Sequence, residues 1–119
     1  MGSMMSPLVA LDDHGQIAAI AGAAGGSRIR PALVQCVLRM LRGETPQAAI
    51  DAPRWRAEGD ALWVEPSMSA ETRAGLAERG HQLVEAGDLD FGAAQIIHRL
   101  DDGWLGASES RRDGCAVGF

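Results

Sequence analysis

Leu8, Val9, Ala10 and Leu11 form a short apolar run, Asp12-Asp13-His14-Gly15 supplies turn formers, and residues 17–21 are apolar again. That pattern predicts a hairpin at the start of the chain. Gly22-Ala23-Ala24-Gly25-Gly26-Ser27 follows and reads as a loop of small residues. Beyond it Leu33, Val34, Val37, Leu38 and Leu41 recur at helical spacing, with Arg39 and Arg42 outside the stripe and Gly43 as the stop. Thr45-Pro46 is an N-cap followed by a first-turn proline and opens a short helix through Ile50, which Pro53 bounds at Ala52. Residues 61–65 have strand character, and Ser69 caps a third helix that runs to Arg79 and ends at Gly80. Residues 82–85 form a weak strand. The stretches 92–100 and 104–107 pair around the Asp101-Asp102-Gly103 turn.

Several antiparallel-type strands and about three helices, without β-α-β alternation, define an α+β class. The expected arrangement is one mostly antiparallel sheet with helices on one face. At 119 residues the chain is a single domain, and a hydrophobic fraction of 46% can build a core. Net charge is −5, from sixteen acidic and eleven basic residues, which argues against a nucleic-acid binder. Apolar runs fall short of the roughly 20 residues that span a bilayer. The two cysteines, Cys36 and Cys115, make neither a disulfide framework nor a zinc cage by themselves, so Cys36 reads as a small core residue and Cys115 as a tail residue.

Chemistry concentrates at Gly25-Gly26. A glycine pair between a strand and a helix lets backbone N–H groups converge without obstruction by Cβ atoms. The positive end of the following helix favours an anion or developing oxyanion there. Spacing alone favours an ordinary tight connection, because glycine pairs are common at turns. Phosphate-loop and dinucleotide patterns fail, since Ser27 and Arg28 stand where the first needs Gly and Lys. Ser108 lacks the closing glycine of a nucleophile elbow. His14, His81 and His98 have no ligand spacing and read as turn or surface residues, so neither metal nor cofactor is expected. Asp12-Asp13 and Asp101-Asp102 read as turn residues. Arg111-Arg112 reads by default as a solvated face.

Several segments, in order, resemble the C-terminal part of the γ-glutamyltransferase (γ-glutamyl transpeptidase) family. They are 3–7, Gly22-Ala23-Ala24-Gly25-Gly26-Ser27-Arg28-Ile29, Ala48-Ala49-Ile50-Asp51-Ala52-Pro53-Arg54, Val64-Glu65-Pro66 and Arg79-Gly80-His81. Last come Leu105-Gly106-Ala107-Ser108, Arg111-Arg112 and the closing 116–119. The resemblance implies part of an N-terminal-nucleophile hydrolase αββα sandwich, in which a precursor cuts itself and the new N-terminal Thr attacks the γ-glutamyl amide. The acyl group then passes to water or to an amino-acid or peptide acceptor. It also implies that Gly25 and Gly26 donate the oxyanion-hole N–H groups and that Ser3 helps hold the glutamyl α-carboxylate. Met4 departs from the second serine that family members often carry. A thioether donates no hydrogen bond, which points to an altered donor preference.

The family's nucleophilic Thr and the acidic residue that grips the substrate amine lie upstream of the Ser-Met segment, and its carboxylate-binding arginine lies in the large subunit. None has a counterpart here. The chain alone is therefore expected to be inactive. Its expected partners are an upstream nucleophile-bearing segment and the large subunit of the same precursor, with a γ-glutamyl small molecule as substrate. In isolation an open sheet edge or uncovered apolar face predicts a homo-oligomer. The alternative is a non-catalytic module that binds an anion or a partner through the same loop, or uses the loop only to turn the chain. The compartment is not encoded in these residues.

Overall fold

The computed structural model describes residues 6–118. Strand β1 (Leu8–Leu11) turns back into β2 (Ile17–Ala24). Asp12 closes the turn by accepting from the N–H groups of His14 (2.9 Å) and Gln16 (2.8 Å), while Gly15 takes a φ of 74°. A 3-10 turn over Gly26–Arg28 runs directly into α1 (Ile29–Met40). In α2 (Pro46–Asp51) the Thr45 hydroxyl accepts from Ala48 N–H at 3.2 Å, and Pro46 occupies the first turn, where its missing N–H costs nothing. Helix α3 (Ala70–Glu78) is capped by Ser69 and ends where Gly80, at φ 88°, lets the chain reverse.

The strands form two sheets rather than the single sheet expected from the pattern. One is four-stranded in the order β1-β2-β6-β7, with β6 at Ala93–Arg99 and β7 at Trp104–Ser108, and all its pairings are antiparallel. The other joins β3 (Trp55–Glu58), β4 (Ala61–Val64) and β5 (Gln82–Glu85). The pattern reading missed β3 because Trp-Arg-Ala-Glu buries only Arg56, whose guanidinium lies 4.4 Å from the Trp63 ring centroid and does the covering that an aliphatic residue would otherwise do. The β4–β5 pair is parallel and needs a crossover, which α3 supplies. Leu62, Val64 and Met68 form its small core, with Leu76 and Leu83 against it.

The main core lies between the larger sheet and helices α1 and α2. Ala21, Ala94, Ile96 and Ala107 face Ile29, Leu33, Cys36, Ala49 and Ile50. The second face of that sheet is only partly covered among the described residues: Ala116 lies over Gly106, but Val9, Ile20 and Ile97, neighbours across three strands, are each 40–55% exposed. Helix α1 also departs from the expected stripe. Ile29, Ala32, Leu33 and Cys36 point inward, but Val34, Leu38 and Leu41 are exposed. The helix is apolar on more than one face, so periodicity overstated the width buried within this chain. No helix among the described residues is long and apolar enough to cross a membrane.

Candidate functional site

Gly22, Ala23 and Ala24, expected in a loop, instead complete β2 and pair with Gln95, Ala94 and Ala93 of β6. Small residues have low strand propensity, yet here they pair small against small, Ala23 with Ala94 and Ala24 with Ala93. The strand therefore delivers Gly25 at its very end. Gly25 adopts φ 139°, ψ 16° and Gly26 φ 63°, two successive conformations that side chains disfavour. At Gly25 there is also no room, because an added Cβ would lie 2.9 Å from the Gly92 Cα. At Gly26 the same position is open space. The turn itself consumes carbonyls, with Arg28 N–H donating to Gly25 O (3.2 Å) and Ile29 N–H to Gly26 O. N–H groups at a helix start have no intrahelical acceptor and are the natural donors to a ligand. Ser3 and Met4 lie outside the described residues.

Behind this turn is a cluster of buried charges that sequence reasoning missed. Arg54 and Glu109, each with a side chain 2% exposed, meet at 2.8 Å. Arg54 also donates to the carbonyls of Ile50 (2.8 Å) and Gly92 (2.9 Å), and Glu109 accepts from Ala94 N–H at 2.8 Å. Arg111, expected on a solvated face, is instead part of this cluster, its side chain 9% exposed. It donates to both oxygens of Glu65 (2.6 and 2.7 Å), to Glu109 (2.8 Å) and to the carbonyls of Ile50 and Ala52. Glu65 also accepts from the Arg54 N–H at 3.0 Å. A guanidinium with five fixed donors matches this set of acceptors, whereas an ammonium would not. Arg111 and Glu109 are two residues apart, but Arg54 and Glu109 are 55 apart and Arg111 and Glu65 are 46 apart, so no local spacing signals the cluster.

The network sets the local charge states. Burial pushes the Glu109 carboxyl up, but hydrogen bonds from Ala94 N–H, Arg111 and Arg54 outweigh it and hold the group below its ordinary value. Burial disfavours the Arg111 cation, yet Glu65 and Glu109 more than restore it. Burial also pushes the Cys36 thiol up, consistent with a packing role, while Cys115 is exposed.

His14 sits in the hairpin turn, His81 is exposed, and His98 is half-buried on β6 with no partner at Nδ1 among the described residues. Among those residues no three His, Cys, Asp or Glu side chains converge on a metal position. Ser108 is buried in β7, its N–H and carbonyl both bonded to the Gln47 amide. Asp101 and Asp102 occupy the turn closed by Leu100 N–H on Gly103 O.

The mixed architecture among the described residues, three helices on mostly antiparallel sheets with a strand that ends in a glycine turn, matches the fold of solved gamma-glutamyltranspeptidases. The Gamma-glutamyltranspeptidase family model matches residues 1–119, and the chain belongs to that family. It is 32% identical over 114 residues to the Acylase ACY 1 proenzyme of Pseudomonas sp. (strain SE83), covering 95% of this chain and 20% of that protein. It is 34% identical over 108 residues to the Glutathione hydrolase-like YwrD proenzyme of Bacillus subtilis (strain 168), covering 82% and 21%. The structure superposes on the gamma-glutamyltranspeptidase of Pseudomonas nitroreducens complexed with L-DON with a TM-score of 0.86 at 23% identity, covering all of this chain and 64% of that one. On the cephalosporin acylase of Bacillus halodurans the TM-score is 0.81 at 34% identity, covering 88% of this chain and 20% of that one. The chain thus spans about a fifth of the length of these curated relatives.

Proposed function

We propose that residues 1–119 are a single domain, the C-terminal portion of the small subunit of an enzyme that hydrolyses or transfers γ-glutamyl groups. In this reading Gly25 and Gly26 present backbone N–H groups to the oxyanion of the tetrahedral intermediate. The observation that carries it is the Gly25–Gly26 turn, built from conformations and clearances that only glycine meets, at the end of a strand and the start of a helix. Such donors act best when fixed before charge develops. The nucleophilic Thr comes from outside these residues, so the chain alone is inactive. Ser3 and Met4 are assigned to donor binding, with Ser3 as the hydrogen-bonding partner of the donor carboxylate. The segments that complete the enzyme cover the Val9–Ile20–Ile97 face, and without them that face drives self-association.

A second reading changes only the acyl donor. Met4 offers no hydrogen bond where a second serine would, and the acylases above are 32% and 34% identical to this chain. One assay separates the readings: turnover of a chromogenic γ-glutamyl anilide and of an acylated cephalosporin, by this chain alone and after addition of the polypeptide encoded just upstream. Silence alone with anilide turnover on mixing is the expected result. Turnover of the cephalosporin instead selects the acylase donor. Turnover by the isolated chain overturns the proposal of an external nucleophile. Sedimentation of the isolated chain should give a dimer or larger species, and a concentration-independent monomer mass would remove the covering role of that face.

A further inference from the structure

We infer that the segment 90–92 is a buttress that aims the Gly25–Gly26 turn, with Arg54 and the Arg28–Asp90 ion pair as its positioning residues. This rests on the oxyanion reading above. Gly92, at φ 79°, is wedged against both ends of the turn. The Cβ position of Gly25 lies 2.9 Å from its Cα, and its own Cβ position would lie 3.2 Å from Ala24 O and 3.4 Å from Arg28 O. Backbone therefore touches backbone, with no side chain between to absorb movement.

The same segment is tied from two sides. From the core, Arg54 donates to Gly92 O at 2.9 Å and to Phe91 O at 3.5 Å, while its other terminal nitrogen is held by Glu109 and Ile50 O, both at 2.8 Å. The carboxylate fixes the guanidinium, the guanidinium fixes the carbonyls, and Gly92 fixes the turn. From the surface, Arg28, two residues after the turn, lies 3.3 Å from Asp90, both side chains 37% exposed. The turn and the segment are thus linked by a van der Waals contact in the middle and an ion pair at the rim. Neither Arg54 nor Asp90 need touch substrate. Their effect is on the direction of two N–H groups, and a displacement of about 1 Å at reacting geometry can cost roughly 10²-fold in rate.

The test couples two readouts. In the 119-residue chain carrying ¹⁵N-glycine, the Gly25 and Gly26 amides should show order parameters near 0.85, the rigid-backbone value. Arg28→Asp and Asp90→Arg should each drop them towards about 0.6. In the enzyme completed by its upstream polypeptide, each should lower kcat for the γ-glutamyl anilide about tenfold and leave KM within about twofold, as expected for loss of a contribution made only in the transition state. The double variant restores the pair in reverse and should recover both readouts, which a general loss of packing would not do. Arg54→Lys keeps the charge beside Glu109 but cannot hold Glu109, Ile50 O and Gly92 O in one planar fork, and should lower kcat about a hundredfold. If Arg54→Lys does not fold, the Arg28/Asp90 cycle still decides. Unchanged order parameters and kcat in the single variants, or damage that the double variant does not repair, overturns the buttress. Absence of turnover of both the γ-glutamyl anilide and the acylated cephalosporin by the completed wild-type enzyme instead sinks the oxyanion reading, and the order parameters still judge the buttress.

Discussion

Glu109→Ala lowers the stability of the folded chain by about 3–5 kcal/mol, the usual cost of removing one partner from a buried ion pair. For a chain of this size that is a fall of roughly 10–25 °C in Tm. The reason is what remains. The Arg54 guanidinium, 2% exposed, loses its only carboxylate partner among the described residues, and Ala94 N–H loses its acceptor, while both groups stay in the core. Glu85→Ala is the contrast. Its pair with Arg73 is at the surface, with the Glu85 side chain 58% exposed, and its loss should cost no more than about 1 kcal/mol. Equal effects of the two substitutions in thermal or urea unfolding would mean that the buried cluster does not hold the fold. Acid should act on the same group. The Glu109 carboxyl has a lower pKa folded than unfolded, so its contribution is complete above the unfolded carboxylate value of about 4.3 and is lost as pH falls below it towards the folded value. Glu109→Gln should flatten that acid limb. An unchanged limb would assign it to other carboxylates.

Gly25→Ala is the second large effect, and it should appear in catalysis more than in folding. The substitution places a Cβ 2.9 Å from the Gly92 Cα at a φ of 139°, so the turn must open. Strain of this kind costs on the order of 1–3 kcal/mol. The N–H directions move with it, and under the proposed oxyanion role the loss of one donor lowers kcat by about 10²–10³-fold. At Gly26 the Cβ would enter open space and only the φ of 63° is disfavoured, so Gly26→Ala should cost about 1–2 kcal/mol with no clash. The measurements are unfolding of the isolated chain and steady-state turnover in the completed enzyme. A Gly25→Ala enzyme within tenfold of wild type would remove the donor role from this turn.

Elements with local signals were legible. Thr45-Pro46, Ser69 and Gly80 bracket α2 and α3 because caps act within one turn of the chain, and the Asp12–Gly15 and Asp101–Gly103 hairpins follow from turn chemistry. Strand β3 was not legible, because its one buried residue is an arginine stacked on Trp63 rather than an aliphatic. The extent of β2 was obscured because Gly22, Ala23 and Ala24 qualify as strand only through their partners on β6. Both errors share a cause: pairing across a sheet is a property of two segments, and composition reports on one.

Residue by residue, the chain by itself determined its α+β class, the bounds of α2 and α3, the glycine pair and, through ordered motifs along its length, its family. Those are local properties, or sums of local properties. Only the tertiary structure decided that there are two sheets, that α1 leaves Val34, Leu38 and Leu41 outside, and that the Arg111 side chain turns in to Glu65 and Glu109. It also decided that Arg54, Glu65, Glu109 and Arg111 meet behind the Gly25–Gly26 turn. A charged side chain carries no mark in the sequence of whether it will find a partner. Its burial becomes affordable only when several elements bring opposite charges and free carbonyls to one point, and that convergence is a property of the packed chain.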